Sequence, residues 1–254
     1  MAKAKGILAC DVGNSRINLG CVVDEKVPHP RSVEAARLDS LPEAVADLWG
    51  DCPAPKRIVA SSVHPGYLKA LESAAAALGQ ELLLIGRDLP LPIQTDLPEP
   101  ARVGTDRLCS AAMAFHRLGQ ACVVADFGTA ITVDCVSEDG VFLGGAILPG
   151  LGMSADALAR GTACLPKVKV DRPDWVFGKD TRQAIIGGIV FGARGALREL
   201  TEAYATELGH WPPLIATGGD AELVAGGCDI VYAIVPALSL MGIALAYRLA
   251  PEQR

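Results

Sequence analysis

The stretch CDVGNSRINLG, Cys10 to Gly20, closes an apolar run with an aspartate, a glycine, an asparagine and a serine, interrupted only by Val12, before apolar residues resume. A strand that stops at Asp-x-Gly and doubles back brings one carboxylate and several backbone amides to a point, and glycine lets that backbone approach a bulky anion. A second stretch, VVADFGTAITVDCVSEDG, repeats the arrangement: an apolar strand, Asp126-x-Gly128, small hydroxyl residues and another apolar strand. Either turn alone reads equally as ordinary hairpin chemistry, but the recurrence points to a duplicated phosphate-binding unit. Asp11 cannot meet phosphate oxygens directly, because like charges repel. It needs a divalent cation or a water between, and magnesium carried by ATP is the natural candidate. Ser15 and Thr129 add hydroxyls where a phosphate would lie.

Working outward, the periodicity gives strands over 6–11 and 17–23, a helix over 41–49, a strand over 57–63, a helix over 67–78 and a strand over 82–85. This alternation is that of an α/β sheet. The run GRDLPLPIQTDLPEPARV, 86–103, holds four prolines and reads as an extended loop, followed by a helix over 106–118 with an acid in its first turn. A second cycle has strands over 121–126, 131–136 and 141–148, helices over 152–160 and 181–207, strands over 214–217 and 230–235, and a closing helix over 237–249. Two lobes follow, 1–118 and 119–254, of similar α/β topology and facing each other across a nucleotide cleft.

Composition narrows the partners. With 254 residues the chain can hide roughly 70% of its unfolded surface. A net charge of −6 argues against a nucleic-acid backbone or an anionic membrane as the main partner. The apolar part of MAKAKGILACDVG is too short for a signal peptide, despite its two lysines. The uncharged segment 230–247 is broken by Pro236, Ser239 and Gly242, as a strand leading into a core helix would be, so no membrane span is expected. Eight cysteines occur without a C-x-x-C pair, and Cys10, Cys21, Cys109, Cys122 and Cys135 sit in apolar runs. Reduced buried thiols in a cytoplasmic protein are the expectation. The four histidines show no metal spacing, and VDRPDWVFGKD reads as a solvated loop.

In order, DVGNSRINLG, VGTDR, DFGTAITVD, GGAILPGLGMSADAL and ATGGD make the chain resemble the type III pantothenate kinases of the acetate and sugar kinase, Hsp70 and actin superfamily. The resemblance implies two ribonuclease-H-like lobes, ATP as phosphoryl donor, pantothenate as acceptor at its primary hydroxyl, potassium or ammonium, and a homodimer whose substrate pocket draws on both chains. Carried over, Asp11, Val12, Gly13, Asn14, Ser15, Arg16, Ile17 and Asn18 form the first phosphate turn, with Ser15 where the family usually has threonine. Gly128, Thr129, Gly218 and Gly219 contact the nucleotide, Asp11 meets magnesium through ATP, and Asp126 binds the monovalent cation. Gly104, Thr105, Asp106 and Arg107 form the substrate loop, with Asp106 acting on the hydroxyl. Thr181 contacts pantothenate, although a helix N-cap is an equal local reading of it. Gly187, Gly188, Gly192 and Gly195 read as positions that allow close helix packing, as at a dimer interface. Leu97 stands where the family commonly has a tyrosine that touches pantothenate. A leucine offers no phenol donor, which leaves two alternatives open: a nucleotide-binding accessory protein without turnover, and a kinase of another small hydroxy acid.

Overall fold

The computed structural model describes residues 6–251; Lys3 and Lys5, weighed above against an export signal, lie outside them. In chain order the elements are β1 (Gly6–Val12), β2 (Arg16–Val22), β3 (Arg31–Glu34), α1 (Leu41–Asp51), β4 (Lys56–Ser62), α2 (Pro65–Ala77), β5 (Leu82–Leu84), β6 (Gln94–Thr95) and α3 (Thr105–Leu118). They continue with β7 (Cys122–Phe127), β8 (Ala130–Val136), β9 (Val141–Pro149), α4 (Leu151–Gly161), α5 (Thr181–Leu208), β10 (Leu214–Thr217), α6 (Ala221–Ala225), β11 (Val231–Ile234) and α7 (Leu238–Leu249). Two compact units result. Of the described residues, one comprises those up to Arg117, Gly140–Phe142 and those from Ala237 on; the other comprises Leu118–Asp139 and Leu143–Pro236.

The first unit is built on a sheet ordered β3-β2-β1-β4-β5. β1 and β2 form an antiparallel hairpin, whereas β4 and β5 add in parallel after helical crossovers. Side chains alternate across a strand, and this parity places the site. Leu8, Cys10 and Val12 of β1, Ile17 and Leu19 of β2, and Ile58 and Ala60 of β4 point to one face, in a core shared with Leu41, Val45 and Leu48 of α1 and Leu71, Ala74 and Ala75 of α2. The residues between them, Asp11, Asn18 and Ser61, are thereby sent to the other face, where α7 packs against β1, β2 and β4. α2 starts cleanly because Pro65 occupies its first turn and the His64 ring accepts a hydrogen bond from the Tyr67 N–H at 3.2 Å.

The second unit repeats the plan. β7 and β8 form an antiparallel hairpin, and β10 and β11 add in parallel, giving the order β11-β10-β7-β8-β9. The first residues of β9, Val141 and Phe142, belong with the first unit and pair there with β6. Val123, Ala125 and Phe127 face a core completed by Leu197 of α5 and Val224 of α6. Asp126 is again sent to the opposite face.

Several expectations are revised. The closing helix, assigned by sequence to 119–254, groups with the first unit because its apolar face covers β1. The proline-rich run contains β6 and a 3-10 turn over Pro100–Arg102 rather than loop alone. The cysteines are not all reduced: Cys21 of β2 and Cys52, just past α1, are brought to a Cα separation of 5.6 Å and joined as a disulfide. Cys10, Cys109, Cys122 and Cys135 are free and buried. VDRPDWVFGKD is only partly solvated, since Val170 and Trp175 pack on Ile185, Ile186 and Val190 of α5. Segment 230–247 is β11 followed by α7, and among the described residues no helix is long and apolar enough to cross a membrane. Truncating a central β4 side chain should leave a cavity that the sheet cannot close. Ile58→Ala is expected to lower unfolding free energy by about 2–5 kcal/mol, read by urea titration.

Candidate active site

The β1–β2 turn is closed by the Gly13 N–H donating to the Arg16 carbonyl at 3.0 Å, which leaves Asn14 and Arg16 exposed and Ser15 half-buried at its tip. Val12 and Ile17 pair beneath the turn, and Asp11 pairs with Asn18 one step further down. Asp11 is buried, yet its carboxylate is well supplied. The Ser61 hydroxyl donates to Oδ1 at 2.9 Å, the Ser239 hydroxyl donates to Oδ2 at 3.0 Å, and the Asn18 side chain adds a third hydrogen bond. Asn18 is itself oriented, because its Oδ1 accepts from the Ser32 hydroxyl at 3.0 Å. Burial outweighs these donors and, together with the nearby charge of Asp106, pushes the Asp11 carboxyl up to about 6.

Asp106 stands in the first turn of α3, where its Oδ1 accepts the Arg107 N–H at 2.9 Å. Burial raises its pKa above the ordinary carboxylate range against the pull of that hydrogen bond and of the Arg107 charge. The loop before it is held tightly. The Ser62 N–H donates to the Thr105 hydroxyl at 3.2 Å, and a side chain at Gly104 would collide with the Asp106 carboxylate. Arg107 places its guanidinium 5.7 Å from the centre of the buried Phe142 ring. The Asp96 N–H donates to the Phe142 carbonyl, so half-buried Leu97 follows directly on a residue anchored to the same phenylalanine as Arg107.

In the second unit the turn is one residue tighter, with the Gly128 N–H donating to the Ala130 carbonyl at 3.1 Å and Thr129 exposed. Two further backbone segments press against it. The Gly150 N–H, at the start of α4, donates to the Thr129 carbonyl at 3.1 Å, and any side chain at Gly150 would strike the Gly128 and Thr129 carbonyls. Gly218, just past β10, has φ +96°, and a Cβ there would meet Asp126 and Phe127. Gly218 and Gly219 are exposed and Asp126 is half-buried. Thr181 is the first residue of α5 and exposed; the cap is Asp180, which accepts the Gln183 N–H at 2.7 Å. Thr181 also edges an apolar cavity of about 680 Å³ lined by Leu148, Leu151, Leu158, Ile185 and Ile189. A Cβ added at Gly188, Gly192 or Gly195 of α5 would meet nothing within 4 Å among the described residues, so these are not close-packing positions within the chain; one at Gly187 would touch Phe191 and Trp175.

The site residues therefore fall into two sets. Asp11, Asn18, Gly104, Thr105, Asp106 and Arg107 belong to the first unit, with the Asp11 and Asp106 charges felt at one another and at Cys109. Asp126, Gly128, Thr129, Gly218, Gly219 and Thr181 belong to the second. Sequence reasoning missed Ser61, Ser239, Phe142 and Gly150. Ser61 carried a signal, a polar pair ending an apolar strand, and Ser239 carried one too, as a hydroxyl inside an otherwise apolar helix. The parallel pairings reveal a further duplication. Ser61 lies opposite Asp11 and Thr217 lies opposite Asp126, so each lobe sets a hydroxyl residue beside its aspartate.

Two α/β units, each opened by an Asp-x-Gly hairpin with parallel strands added beside it, define the architecture of the acetate and sugar kinase, Hsp70 and actin superfamily. Solved structures agree on the fold. A protein described as a Baf family transcriptional activator from Campylobacter jejuni matches with TM-score 0.62 and 21% identity over 95% of this chain and 97% of its own. The activator of the 2-hydroxyisocaproyl-CoA dehydratase from Clostridium difficile, with bound ADPNP, matches at 0.51 and 11% over 96% and 94%. The family model for type III pantothenate kinase matches residues 7–203. Type III pantothenate kinases from Dehalococcoides mccartyi strain 195 and Roseiflexus sp. strain RS-1 are each 34% identical, over 96% of this chain and 97% and 98% of theirs. The chain belongs to the type III pantothenate kinase family.

The raised Asp11 carboxyl has a thermodynamic signature. Unfolded, it titrates near the ordinary value; folded, near 6. Within that window the folded chain holds the extra proton, so stability falls as pH rises through it and stays lower above. Asp11→Asn removes the cost. It is expected to raise the melting temperature at about pH 8 by roughly 2–6 °C and to flatten the decline between about pH 4 and pH 6, as followed by thermal unfolding.

Proposed function

We propose that Asp106 is the residue that acts on the acceptor hydroxyl in this family's reaction, the ATP-dependent phosphorylation of pantothenate that opens coenzyme A synthesis. The chain catalyses that reaction as a kinase. The observation that carries the assignment is the pair of carboxylates in one unit, Asp11 held rigidly by hydroxyl donors and Asp106 at the head of α3 with its pKa lifted. Phosphoryl transfer passes through a loose transition state, in which orienting the nucleophile and accepting its proton late is what a carboxylate can contribute. A lifted pKa makes Asp106 a better acceptor of that proton. Arg107, steadied over Phe142, offers a planar fork of donors for the polar oxygens of pantothenate, and the family resemblance assigns Leu97 and Thr181 to the same acceptor.

The turn from Asp11 to Asn18, with Gly128, Thr129, Gly218 and Gly219, binds the nucleotide through backbone amides and hydroxyls. Three donors occupy three of the four lone pairs of the Asp11 carboxylate, and the one left open fits a magnesium ion bound with ATP, while Asp126 beside the Gly218 backbone fits potassium or ammonium. Such cations, when bound, neutralise the charge that the phosphates bring. The lobes are taken as 1–118 and 119–236, with the C-terminal helix assigned to the first, and the chain acts in the cytoplasm. A homodimer is supported by α5: a Cβ added at Gly188, Gly192 or Gly195 would point into open space, and Phe191, Met153 and Ile147 are exposed. A second copy seated there would cover the apolar cavity beside Thr181.

Asp106→Asn is expected to lower kcat by at least about a hundredfold while ATP affinity changes little, measured by coupled ADP release and calorimetry; unchanged turnover would remove Asp106 from the role. Light scattering should give twice the 26.4 kDa chain mass, and Gly192→Glu should return it to a monomer with weakened pantothenate binding.

A further inference from the structure

The Asp11 carboxylate is gripped from both sides by residues far apart in sequence. Ser61 comes from the neighbouring strand β4 and is fixed by sheet register, whereas Ser239 comes from the first turn of α7. Both serines are buried, so neither hydroxyl has water to fall back on. With a serine donor on each oxygen and Asn18 adding a third hydrogen bond, the carboxylate cannot turn about its Cβ–Cγ bond without losing one of them. The seating of α7 is equally specific. Gly242, one turn beyond Ser239 on the same helical face, lies so close to α3 that a Cβ would collide with the Cys109 backbone. On the strand side, a Cβ at Gly20 of β2 would stand 3.1 Å from Leu240. Small residues thus bring α7 against α3 and β2 at once, and the Ser239 hydroxyl arrives at Asp11 as a consequence of that fit.

We infer that Ser239 is a positioning residue for the nucleotide-binding aspartate: it touches no substrate, but it fixes the direction in which Asp11 presents its remaining free lone pair to the cation bound with ATP. The inference deepens the reading given above and rests on Asp11 serving the nucleotide. It predicts a selective loss. A donor to a charged partner is worth about a tenfold change in affinity or more. Ser239→Ala is therefore expected to weaken MgADP binding in calorimetry about tenfold and to raise KM for MgATP similarly, with KM for pantothenate within about twofold. Ser239→Thr, which keeps the hydroxyl, should restore MgADP affinity to within about threefold.

A purely structural role would instead lower the melting temperature and weaken both substrates together, without rescue by threonine, and that result overturns the inference. So does unaltered MgADP affinity in Ser239→Ala. The two readings separate cleanly. A wild-type chain that binds MgADP but does not phosphorylate pantothenate sinks the acceptor assignment while the calorimetric comparison still judges Ser239. Full pantothenate turnover with an indifferent Ser239→Ala sinks only the positioning role, and a wild-type chain that fails to bind MgADP sinks both.

Discussion

Asp11 carries the central tension of this molecule: a charge placed on the buried face of a sheet, at the end of the strand around which the first unit is organised. Burying a carboxylate is tolerable only when its oxygens are given donors. The structure provides them from three elements, Asn18 across the hairpin, Ser61 from the parallel neighbour and Ser239 from the closing helix. The register of β1 with β2 and β4, the polar ending of β4 and the small residues that admit α7 all serve that one demand. What remains is a carboxyl still harder to ionise than one in water, in the same unit as a second carboxyl with the same tendency.

The duplication shows that this is a plan and not an accident of one strand. Asp126 occupies the place in β7 that Asp11 occupies in β1, next to last, on the face away from the helical core, with Thr217 paired where Ser61 is paired in the first unit. The two copies have nonetheless diverged in chemistry. Asp11 is buried under hydroxyl donors. Asp126 is half-buried and crowded by glycine backbone, with Gly218 bent into a conformation that side chains rarely adopt. One copy suits a tightly directed carboxylate, and the other suits a turn over which peptide groups from three segments converge.

Much of this was legible in the sequence because it rests on local rules. Short apolar runs marked β1, β2, β7 and β8, and the Asp-x-Gly turns announced where the carboxylates would sit. The acid at the head of α3 was visible as Gly-Thr-Asp-Arg at a helix start, and glycine before the acid has a steric reason, since a side chain there would collide with it. What escaped was set by distance in space. No local pattern links Ser239 to Asp11 across the whole chain, or Phe142 to Arg107, and short elements such as β3, β6 and α6 lack the length for a period to declare itself. The Cys21–Cys52 pairing escaped for the same reason: Cys21 sits in an apolar run and Cys52 between Asp51 and Pro53, with no spacing to link them, and only the packing of α1 beside β2 brings them together. Leu97 likewise follows Asp96, whose N–H is anchored on Phe142, the residue that Arg107 faces, a link that no local pattern declares.

The grouping of α7 with the first unit has a consequence for how the chain comes into being. Synthesis runs from the N-terminus, and nearly the whole second unit is translated before Ser239 and Gly242 exist. Until then β1, β2 and β4 present an uncovered face to the ribosome exit and its surroundings, with Asp11 lacking one of its hydroxyl partners. The nascent N-terminal half is thus an unfinished object that waits for the last stretch of message to be read, while the later-made unit already holds all its own strands.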